Sequence, residues 1–261
     1  MKIAVIGAGL AGKQHIDTIL NNKNCELDLI VDPSQEAYEL SKKLNVQYFS
    51  SIELALKKSR PDGAIIATPN SKHKENAELF LNEKIPVLIE KPISSDIKGA
   101  IEIVMYAKKQ KTKILIGHHR RHNKIIQNAK RKIQSGNLGK IISIHATCWL
   151  FKPNNYFNSW RKSVGGGPLL INLVHDIDLM RYLIGEIECV LSFESNSIRG
   201  GDTEDTAVVL LKFENGSLGT LSVSDTIISP WSWELTSKEN SIYPNQKQNC
   251  YWIGGTHGSL E

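Results

Sequence analysis

The chain has 261 residues, 41% of them hydrophobic and 23% charged, with a formal net charge of +5 at pH 7. This composition is ordinary for a soluble globular protein of one large or two modest domains, and no apolar run approaches the ~18 residues of a membrane span. The lysines are dispersed among acidic residues, so the charge argues against nucleic-acid binding and can instead help to gather an anionic cofactor.

The first predicted element is the apolar strand Lys2–Ile6, which runs into a glycine-rich loop with G-x-G-x-x-G spacing. The loop consists of Gly7, Ala8, Gly9, Leu10, Ala11 and Gly12. Gly7 permits a tight turn, Gly9 has no side chain to obstruct a pyrophosphate, and Gly12 lets the next helix lie close to the strand. The pattern predicts a dinucleotide site at the N-terminus of that helix.

The second apolar run, Leu27–Val31, ends in Asp32, twenty residues after Gly12. A carboxylate at this position can accept hydrogen bonds from the adenosine ribose hydroxyls. It would also repel a 2′-phosphate, and the following residues, Pro33–Gln35, supply no arginine to hold one. We therefore predict NAD rather than NADP. The alternative is a glycine loop with an unrelated surface aspartate.

Strand-like and helical segments alternate through the first 120 residues. The strand-like runs are Lys2–Ile6, Leu27–Val31, Gly63–Ala67, Pro86–Ile89 and Lys113–Ile116. Between them apolar residues recur three and four apart, most clearly from Ile97 to Ala107, where Asp96 is among the N-cap candidates. This alternation predicts an α/β domain over residues 1–120, with a doubly wound parallel sheet that binds its ligand at the carboxyl ends of the strands.

After about residue 120 the pattern changes to two helices and several long strands. The predicted helices are Lys124–Gln134 and Pro168–Ile184, the second with proline in its first turn and Gly185 after its end. The predicted strands are Ile141–Leu150, Cys189–Asn196, Ala207–Phe213, Ser217–Val223, Trp231–Leu235 and Tyr251–Ile253, with a hairpin turn at Glu214–Gly216. The order predicts an α+β domain over residues 121–261 with a mainly antiparallel sheet.

Thr68, Pro69 and Asn70 follow the third predicted strand and would border the cofactor crevice. A purely structural turn explains Asn70 equally well. His73, three residues further on, is better explained as a first-turn helix residue than as a catalyst.

Glu90 and Lys91 follow the Pro86–Ile89 strand and precede Pro92. They would place two opposite charges where a nicotinamide ring and a substrate meet. Partial burial lowers the pKa of a lysine, which makes Lys91 a candidate proton donor or acceptor for a carbinol oxygen. The alternative is a solvated ion pair before a proline turn.

Three polar residues recur at every third position in the helix that is entered through Gly165–Gly167. They are Asn172, His175 and Asp178. A neutral imidazole at His175 can take the proton of a hydroxyl group while hydride leaves its carbon. The alternative is a helix histidine that is satisfied by a neighbouring aspartate.

The remaining candidates are weaker. His118, His119 and His122 have no acidic or cysteine partner at metal-ligand spacing, so we predict no metal site. Trp160 and Arg161 could stack and pair with a ring-shaped or anionic ligand, or serve a surface or interface role.

The four cysteines are far apart and suit a reducing compartment, and no targeting segment is visible, so the expected location is the cytoplasm.

Taken together, these segments resemble the glucose–fructose oxidoreductase / inositol dehydrogenase / MocA (Gfo/Idh/MocA) family over nearly the whole chain. The resemblance rests on Gly7–Gly12, Ala67–Asn70 with His73, Glu90–Pro92, Gly117 with Arg120 and Arg121, Trp160 with Arg161, and Gly165–Asp178, in this order. It implies a Rossmann domain followed by an open-faced sheet domain, whose sheet faces often pack into dimers or tetramers. It also implies that Lys91 and His175 line the hydride-transfer site and that the substrates are sugars, cyclitols or their acids.

Two features depart from the family pattern. Relatives usually carry an aspartate four residues before the histidine, where this chain has Ile171, so Asn172 or Asp178 would have to orient His175 or the relay differs. The chain also ends at Gly258–Glu261, within a predicted strand, whereas relatives run further. We expect the second domain to lack its usual end, which would expose strand edges.

The prediction is an NAD-dependent oxidoreductase that acts on a secondary hydroxyl of a sugar, inositol or related polyol, with no nucleic-acid or membrane partner, in a homo-oligomer formed through the second sheet. The expected cofactor residues are Gly7, Ala8, Gly9, Leu10, Ala11, Gly12, Asp32, Thr68, Pro69, Asn70, His73, Glu90 and Lys91. Lys91 and His175 are the expected catalytic residues, and Asn172, Asp178, Arg120, Trp160 and Arg161 the expected substrate contacts. The alternatives are a relative that retains NAD during glycoside cleavage and a catalytically weak NAD-binding sensor or scaffold.

Overall fold

The chain divides into two units, Met1–His118 and His119–Glu261, and each unit is built on its own sheet. The computed structural model describes residues 1–157, 159–163 and 165–261, without the side chains of Ser159 and Trp160. Within these residues, no helix has the length and apolar character needed to cross a bilayer.

Six parallel strands form the sheet of the first unit, in which the structure describes every residue. The strands are β1 (Lys2–Ile6), β2 (Glu26–Val31), β3 (Gln47–Phe49), β4 (Gly63–Ile66), β5 (Val87–Ile89) and β6 (Ile114–Ile116). Their order, β3-β2-β1-β4-β5-β6, confirms the predicted doubly wound parallel sheet. The sequence did not predict β3, because three residues at an edge are too few to show a periodic pattern.

Helices connect the strands of the first unit. They are α1 (Leu10–Leu20), α2 (Gln35–Leu44), α3 (Ile52–Leu56), α4 (His73–Asn82) and α5 (Ile97–Gln110). The side chain of Asp96 accepts a hydrogen bond from the backbone N–H of Gly99 at 2.7 Å, which confirms it as the N-cap of α5.

Alternate side chains of β1 enter two separate apolar clusters. Ala4 and Ile6 pack in the cluster that contains Phe80 of α4, whereas Val5 packs in the cluster that contains Ile16 of α1. Successive side chains of a strand point to opposite faces, so helices cover both faces of this sheet. Because both faces are covered, a ligand reaches this sheet at the ends of its strands.

Among the described residues of the second unit, six strands form a mixed sheet. The strands are β7 (Ile141–Trp149), β8 (Ile187–Ser195), β9 (Thr206–Phe213), β10 (Leu218–Ser224), β11 (Tyr251–Gly255) and β12 (Ser259–Leu260). Their order is β12-β11-β7-β10-β9-β8. β7 and β10 run parallel and the other neighbours in this order run antiparallel, so the sheet is mainly antiparallel, as predicted.

The helices labelled in the second unit are α6 (Lys124–Gln134), α7 (Val174–Leu183) and α8 (Trp233–Thr236). The helix predicted from Pro168 to Ile184 is confirmed as one continuous helical segment, in which Leu169–Leu173 form a π-helical turn directly before α7. A π turn is wider than an α turn and rotates the residues that follow it. Leu170, within this π turn, is 44% exposed, while Leu173 is fully buried.

The strand predicted over Trp231–Leu235 was also wrong. This segment contains the short helix α8, whose N-cap Ser232 accepts a hydrogen bond from the N–H of Leu235 at 3.4 Å. Trp233 is buried against the second unit's core. A capping serine and one anchored aromatic side chain therefore outweigh the β propensity of the segment.

The second sheet has one buried and one exposed face. Along β9, Val209 and Leu211 belong to the core, together with residues of α7. Val208 and Leu210 alternate with them and are 49% and 53% exposed. The sheet is therefore open on one face, as the resemblance implied.

Candidate functional site

The carboxyl ends of four adjacent strands bring the predicted cofactor residues to one edge of the first sheet. Asp32 follows β2, the loop that begins at Gly7 follows β1, Thr68 lies just beyond β4 and Glu90 follows β5. These strands are parallel neighbours in the order β2-β1-β4-β5, so the four segments lie side by side. Strand order reverses between β1 and β4, which is the position where open α/β sheets bind ligands.

The three glycines of the loop have different structural roles. Gly7 has a φ of +89°, and a Cβ atom there would lie 2.6 Å from the carbonyl oxygen of Ala67. A Cβ atom at Gly12 would lie 1.9 Å from the carbonyl oxygen of Gly7. A Cβ atom at Gly9 would meet no atom within 4 Å. Gly7 and Gly12 are therefore needed by the fold, whereas Gly9 borders open space.

Asp32 is tied to the glycine loop. Its Oδ2 atom accepts a hydrogen bond from the N–H of Ala8 at 2.8 Å, and its Oδ1 atom accepts one from the N–H of Ser34 at 2.8 Å. Burial raises the pKa of Asp32, but the hydrogen bonds from Ala8 and Ser34 outweigh burial and hold the pKa below its usual value. The side chain is thus an anion beside the loop.

These features fit a dinucleotide such as NAD. The open space beside Gly9 leaves room for a pyrophosphate near the N-terminus of α1, whose first turn contains Leu10 and Ala11. The Asp32 carboxylate has acceptor capacity for ribose hydroxyl groups. Its negative charge disfavours a phosphate group on the same ribose.

The residues after β4 form a turn that His73 supports. Asn70 begins a short 3₁₀ turn after Pro69, and both residues are exposed. The ring nitrogens of His73 lie 2.9 Å from the carbonyl oxygens of Thr68 and Pro92. His73 is fully buried at the first position of α4, as the sequence predicted, and it joins the loop after β4 to the loop after β5.

Glu90 has a partner on α1 that the sequence did not suggest. Its Oε1 atom lies 2.7 Å from Nε2 of His15 on α1, and its Oε2 atom accepts a hydrogen bond from the N–H of Lys91 at 3.2 Å. A Cβ atom at Gly117 would come within 3.0 Å of Oε1, so the carboxylate also packs against the end of β6. Glu90 therefore fixes the backbone from which Lys91 extends.

The polar residues of the second unit lie at the beginning of α7. Asn172, His175 and Asp178 are each 7% exposed. Asp178 accepts two hydrogen bonds from Arg121, from Nε at 2.7 Å and from Nη2 at 2.6 Å. This bidentate geometry holds the carboxylate in one orientation.

Arg120 lies inside the second unit, where it is 3% exposed. Its guanidinium group donates hydrogen bonds to Asp176 at 3.0 Å and to Glu234 of α8 at 2.7 Å. Tyr251 donates a further hydrogen bond to Asp176. Burial lowers the pKa of Arg120, but the charges of Asp176 and Glu234 outweigh it and raise the pKa above its usual value. Arg120 therefore connects α7 with α8.

His119, directly before Arg120, lies against His175. The two ring centroids are 5.1 Å apart and the ring planes meet at 71°, an edge-to-face arrangement. Nε2 of His119 lies 3.5 Å from a carboxylate oxygen of Glu239. Residues 119–121 thus run along the beginning of α7, each opposite one of its residues.

The other predicted substrate residues lie before the glycine run. Arg161 lies over the ring of Tyr156, 4.0 Å from its centroid, and donates a hydrogen bond to the carbonyl oxygen of Tyr156 at 3.0 Å. The side chain of Trp160 lies outside the described residues. Within the part of the chain that is described, no three histidine, cysteine or carboxylate side chains form a group that could hold a metal ion.

Sequence reasoning missed three residues that shape these sites. His15 stands three residues after Gly12, and this fixed distance from the glycine loop was a usable signal. Asp176 lies between the candidates His175 and Asp178 in the sequence. Glu239 lies 120 residues after His119, and no local pattern could have joined them.

Two family models match the chain. The oxidoreductase family model with an NAD-binding Rossmann fold matches residues 1–118, and the GFO/IDH/MocA C-terminal domain model matches residues 126–261. Together they cover both units of the structure.

Curated relatives are about one quarter identical to this chain over the aligned residues. A 2,7-anhydro-N-acetylneuraminate hydratase of Escherichia coli is 27% identical over 98% of this chain and 66% of its own length. A myo-inositol 2-dehydrogenase of Thermotoga maritima is 28% identical over 86% of this chain and 68% of its own length. The chain therefore spans about two thirds of the length of the curated relatives that it matches.

A solved structure shares the fold over nearly the whole chain. It is the WlbA dehydrogenase from Chromobacterium violaceum in complex with NADH and UDP-GlcNAcA, with a TM-score of 0.86 and 23% identity over 99% of this chain and 72% of its own. The two matched models and this likeness are consistent with the dinucleotide site at the edge of the first sheet. The chain belongs to the GFO/IDH/MocA family of oxidoreductases, and its first unit is the NAD-binding Rossmann domain of that family.

Proposed function

We propose that this chain is an NAD-dependent oxidoreductase that transfers hydride between the nicotinamide and a secondary hydroxyl or ketone group of a sugar, inositol or related polyol. The observation that carries the proposal is the edge of the first sheet, where the glycine loop, Asp32, Thr68 and Lys91 follow adjacent parallel strands. This order supports the proposal, because the ends of adjacent parallel strands lie side by side at one edge of the sheet.

Each catalytic residue has one role in the proposed reaction. The ammonium group of Lys91 donates a hydrogen bond to the substrate oxygen, and His175 accepts the hydroxyl proton during oxidation and returns it during reduction. When bound, NAD supplies the acceptor for the hydride that leaves the carbinol carbon. The carbon loses two electrons with the hydride, and the oxygen loses only a proton.

Residues near His175 supply the proposed substrate contacts. Asn172 and Asp178 lie in the same part of the second unit, and Arg121 holds Asp178 in a fixed orientation. Arg161, held against Tyr156, offers a cation for a hydroxyl or carboxylate group. Arg120 acts indirectly, because its guanidinium is buried between two carboxylates. Trp160 remains a proposed substrate contact on sequence grounds alone.

The substrate class rests on the relatives. One relative is named for myo-inositol, and a solved WlbA dehydrogenase of the same fold was crystallised with a nucleotide-linked sugar acid. Polyols and sugars present several hydroxyl groups, which suits a surface lined by amide, carboxylate and guanidinium groups. These groups favour a hydroxylated substrate over an apolar one.

A second candidate function is the use of retained NAD without net redox change. The observation that favours it is the relative from Escherichia coli, which is named a hydratase. A third candidate, an NAD-binding sensor or scaffold of low catalytic activity, is favoured by the absence of aspartate at Ile171.

The experiment that separates these functions is an absorbance screen at 340 nm with NAD and NADP against sugars, inositols and sugar acids. The proposed dehydrogenase forms NADH with at least one polyol. Product formation with bound nicotinamide but no net NADH supports the second function. Tight NADH binding without turnover of any compound supports the third.

Two variants test the assigned residues. We expect His175→Ala and Lys91→Ala each to lower kcat by about 100-fold or more while NADH still binds. Lys98→Ala is a control for the lysine, because Lys98 is an exposed residue of α5. Normal turnover in both active-site variants would refute the assignment.

We also propose a homo-oligomer formed through the open face of the second sheet. Leu191 and Phe193 of β8 lie opposite Leu210 and Val208 of β9, and all four are between 49% and 69% exposed. A continuous apolar face of this kind is typical of an interface. Light scattering should give at least a dimer, and Phe193→Glu should lower the mass towards a monomer. A monomeric wild-type protein at high concentration would refute this proposal.

A further inference from the structure

We propose that His119 positions the imidazole of His175, in place of the aspartate expected at Ile171, and that Glu239 holds His119 in this role. The inference rests on the proposed function, in which His175 exchanges the substrate proton. It makes His119 a positioning residue that acts through His175.

The first observation is the contact between the rings. His119 and His175 meet edge to face with centroids 5.1 Å apart. An imidazole side chain turns about two single bonds, and a ring packed against its face restricts those rotations. His175 is 7% exposed, whereas the side chain of His119 is 58% exposed.

The second observation is the register of the two segments. Arg120 is hydrogen-bonded to Asp176, the residue after His175, and Arg121 is hydrogen-bonded to Asp178. His119, Arg120 and Arg121 therefore lie beside the first turns of α7. The backbone of His119 cannot move away from α7 without disturbing the neighbouring buried ion pair, whose disruption is costly.

The third observation is the anchor behind His119. Glu239 accepts hydrogen bonds from Nε1 of Trp233 at 2.6 Å and from Nδ2 of Asn123 at 3.0 Å, and it lies 3.5 Å from Nε2 of His119. Burial raises the pKa of Glu239, but the bonds from His119, Asn123 and Trp233 outweigh burial and lower the pKa to about 2. An ionised, fixed carboxylate therefore lies beside His119.

The Glu239 carboxylate lies beside the ring of His119, and the ring of His119 in turn packs against His175. This differs from a direct carboxylate–histidine pair by the one additional ring. An aspartate four residues before His175 would orient the imidazole directly. Here the side chain of Ile171 cannot do so, because it has no polar atom. The structure offers a ring contact from the neighbouring segment instead.

The test uses the full chain with isotope-labelled histidine. The variants are His119→Ala, His119→Phe and Glu239→Gln, with His122→Ala as the matched control from the same short turn, since His122 is exposed. NMR records the ring signals of His175, assigned with His175→Asn. Kinetics record kcat, KM and the Kd of NADH.

We expect His119→Ala to shift the ring signals of His175 well beyond the change in His122→Ala. We also expect it to lower kcat about 10-fold with an unchanged Kd for NADH, because misplacing a catalytic group by a fraction of an ångström slows the chemical step. His119→Phe keeps a ring at this position and should restore part of kcat. Glu239→Gln should change kcat in the same direction as His119→Ala.

Unchanged His175 signals in His119→Ala would overturn the proposal, as would shifted signals with normal kcat. The NMR measurement needs no turnover. If the wild-type chain oxidises no polyol, the proposed function fails, and the NMR result still decides whether His119 orients His175.

Discussion

His15 on α1 and Glu90 after β5 meet at 2.7 Å across the edge of the first sheet, between Nε2 and Oε1. Burial raises the pKa of Glu90, but the hydrogen bond from His15 and the N–H of Lys91 outweigh burial and lower the pKa below its usual value. The contact links the helix that begins at the glycine loop to the segment that carries Lys91.

Loss of this contact should destabilise the first unit. In His15→Ala the largely buried carboxylate of Glu90 loses a hydrogen-bond partner, which costs about 1–3 kcal/mol of unfolding free energy. Gln14→Ala, an exposed change in the same helix, is the control. Urea unfolding measures both variants, and equal midpoints would show that the His15–Glu90 contact contributes nothing.

Asp32 should determine cofactor affinity and selectivity. Removing a carboxylate that binds ribose hydroxyl groups costs about 1.5–3 kcal/mol, so Asp32→Ala should weaken NADH binding by about 10-fold or more. NADPH binding should weaken less or improve, because a repulsive charge is gone. Fluorescence titration gives both Kd values, with Asp28→Ala on the same strand as control. An unchanged ratio of the two Kd values would contradict the prediction.

Substitutions at Gly9 and Gly12 should have different effects, the first on NADH binding and the second on stability. A methyl group at Gly9 enters open space, so Gly9→Ala should fold normally and bind NADH about 10-fold more weakly. A methyl group at Gly12 collides with the carbonyl oxygen of Gly7, so Gly12→Ala should lose about 1–3 kcal/mol of stability. Thermal unfolding and NADH titration measure the two effects. Equal losses of stability in both variants would be inconsistent with this geometry.

Arg120 and Arg121 should differ in their contribution to stability. Arg120→Met leaves Asp176 and Glu234 buried without their cation, at a cost of about 3–5 kcal/mol. The side chain of Arg121 is 36% exposed, and Arg121→Met should cost less than about 1 kcal/mol. Chemical unfolding of the two variants tests the difference, and a larger loss in Arg121→Met would refute it.

Glu239 should make stability depend on pH below its ordinary titration range. Its pKa is about 2 in the folded chain and near 4.5 for an unperturbed glutamate. The contribution of Glu239 to the unfolding free energy is therefore complete above about pH 4.5 and is lost as pH falls towards 2. The difference in unfolding free energy between wild type and Glu239→Gln should be largest at neutral pH. A difference that stays constant down to about pH 3 would contradict the assignment.

Short-range sequence patterns predicted most of the local elements and a nucleotide site. The glycine spacing, the apolar runs and Asp32 are short-range patterns, and each strand of the parallel sheet except β3 could be predicted from them. The ends of parallel strands share one edge, so placing Lys91 near the cofactor loop needed only the order of the strands.

The partners of the polar side chains became visible only in the folded chain. Arg120 pairs with Asp176 and Glu234, and His119 meets His175 and Glu239, across separations of 56 to 120 residues. Such pairings depend on how elements pack, and the sequence offers many carboxylates for each cation. The same dependence explains α8, where burial of Trp233 and the Ser232 cap prevailed over strand propensity. Periodicity records which face of an element is apolar, but not which distant side chain will face it.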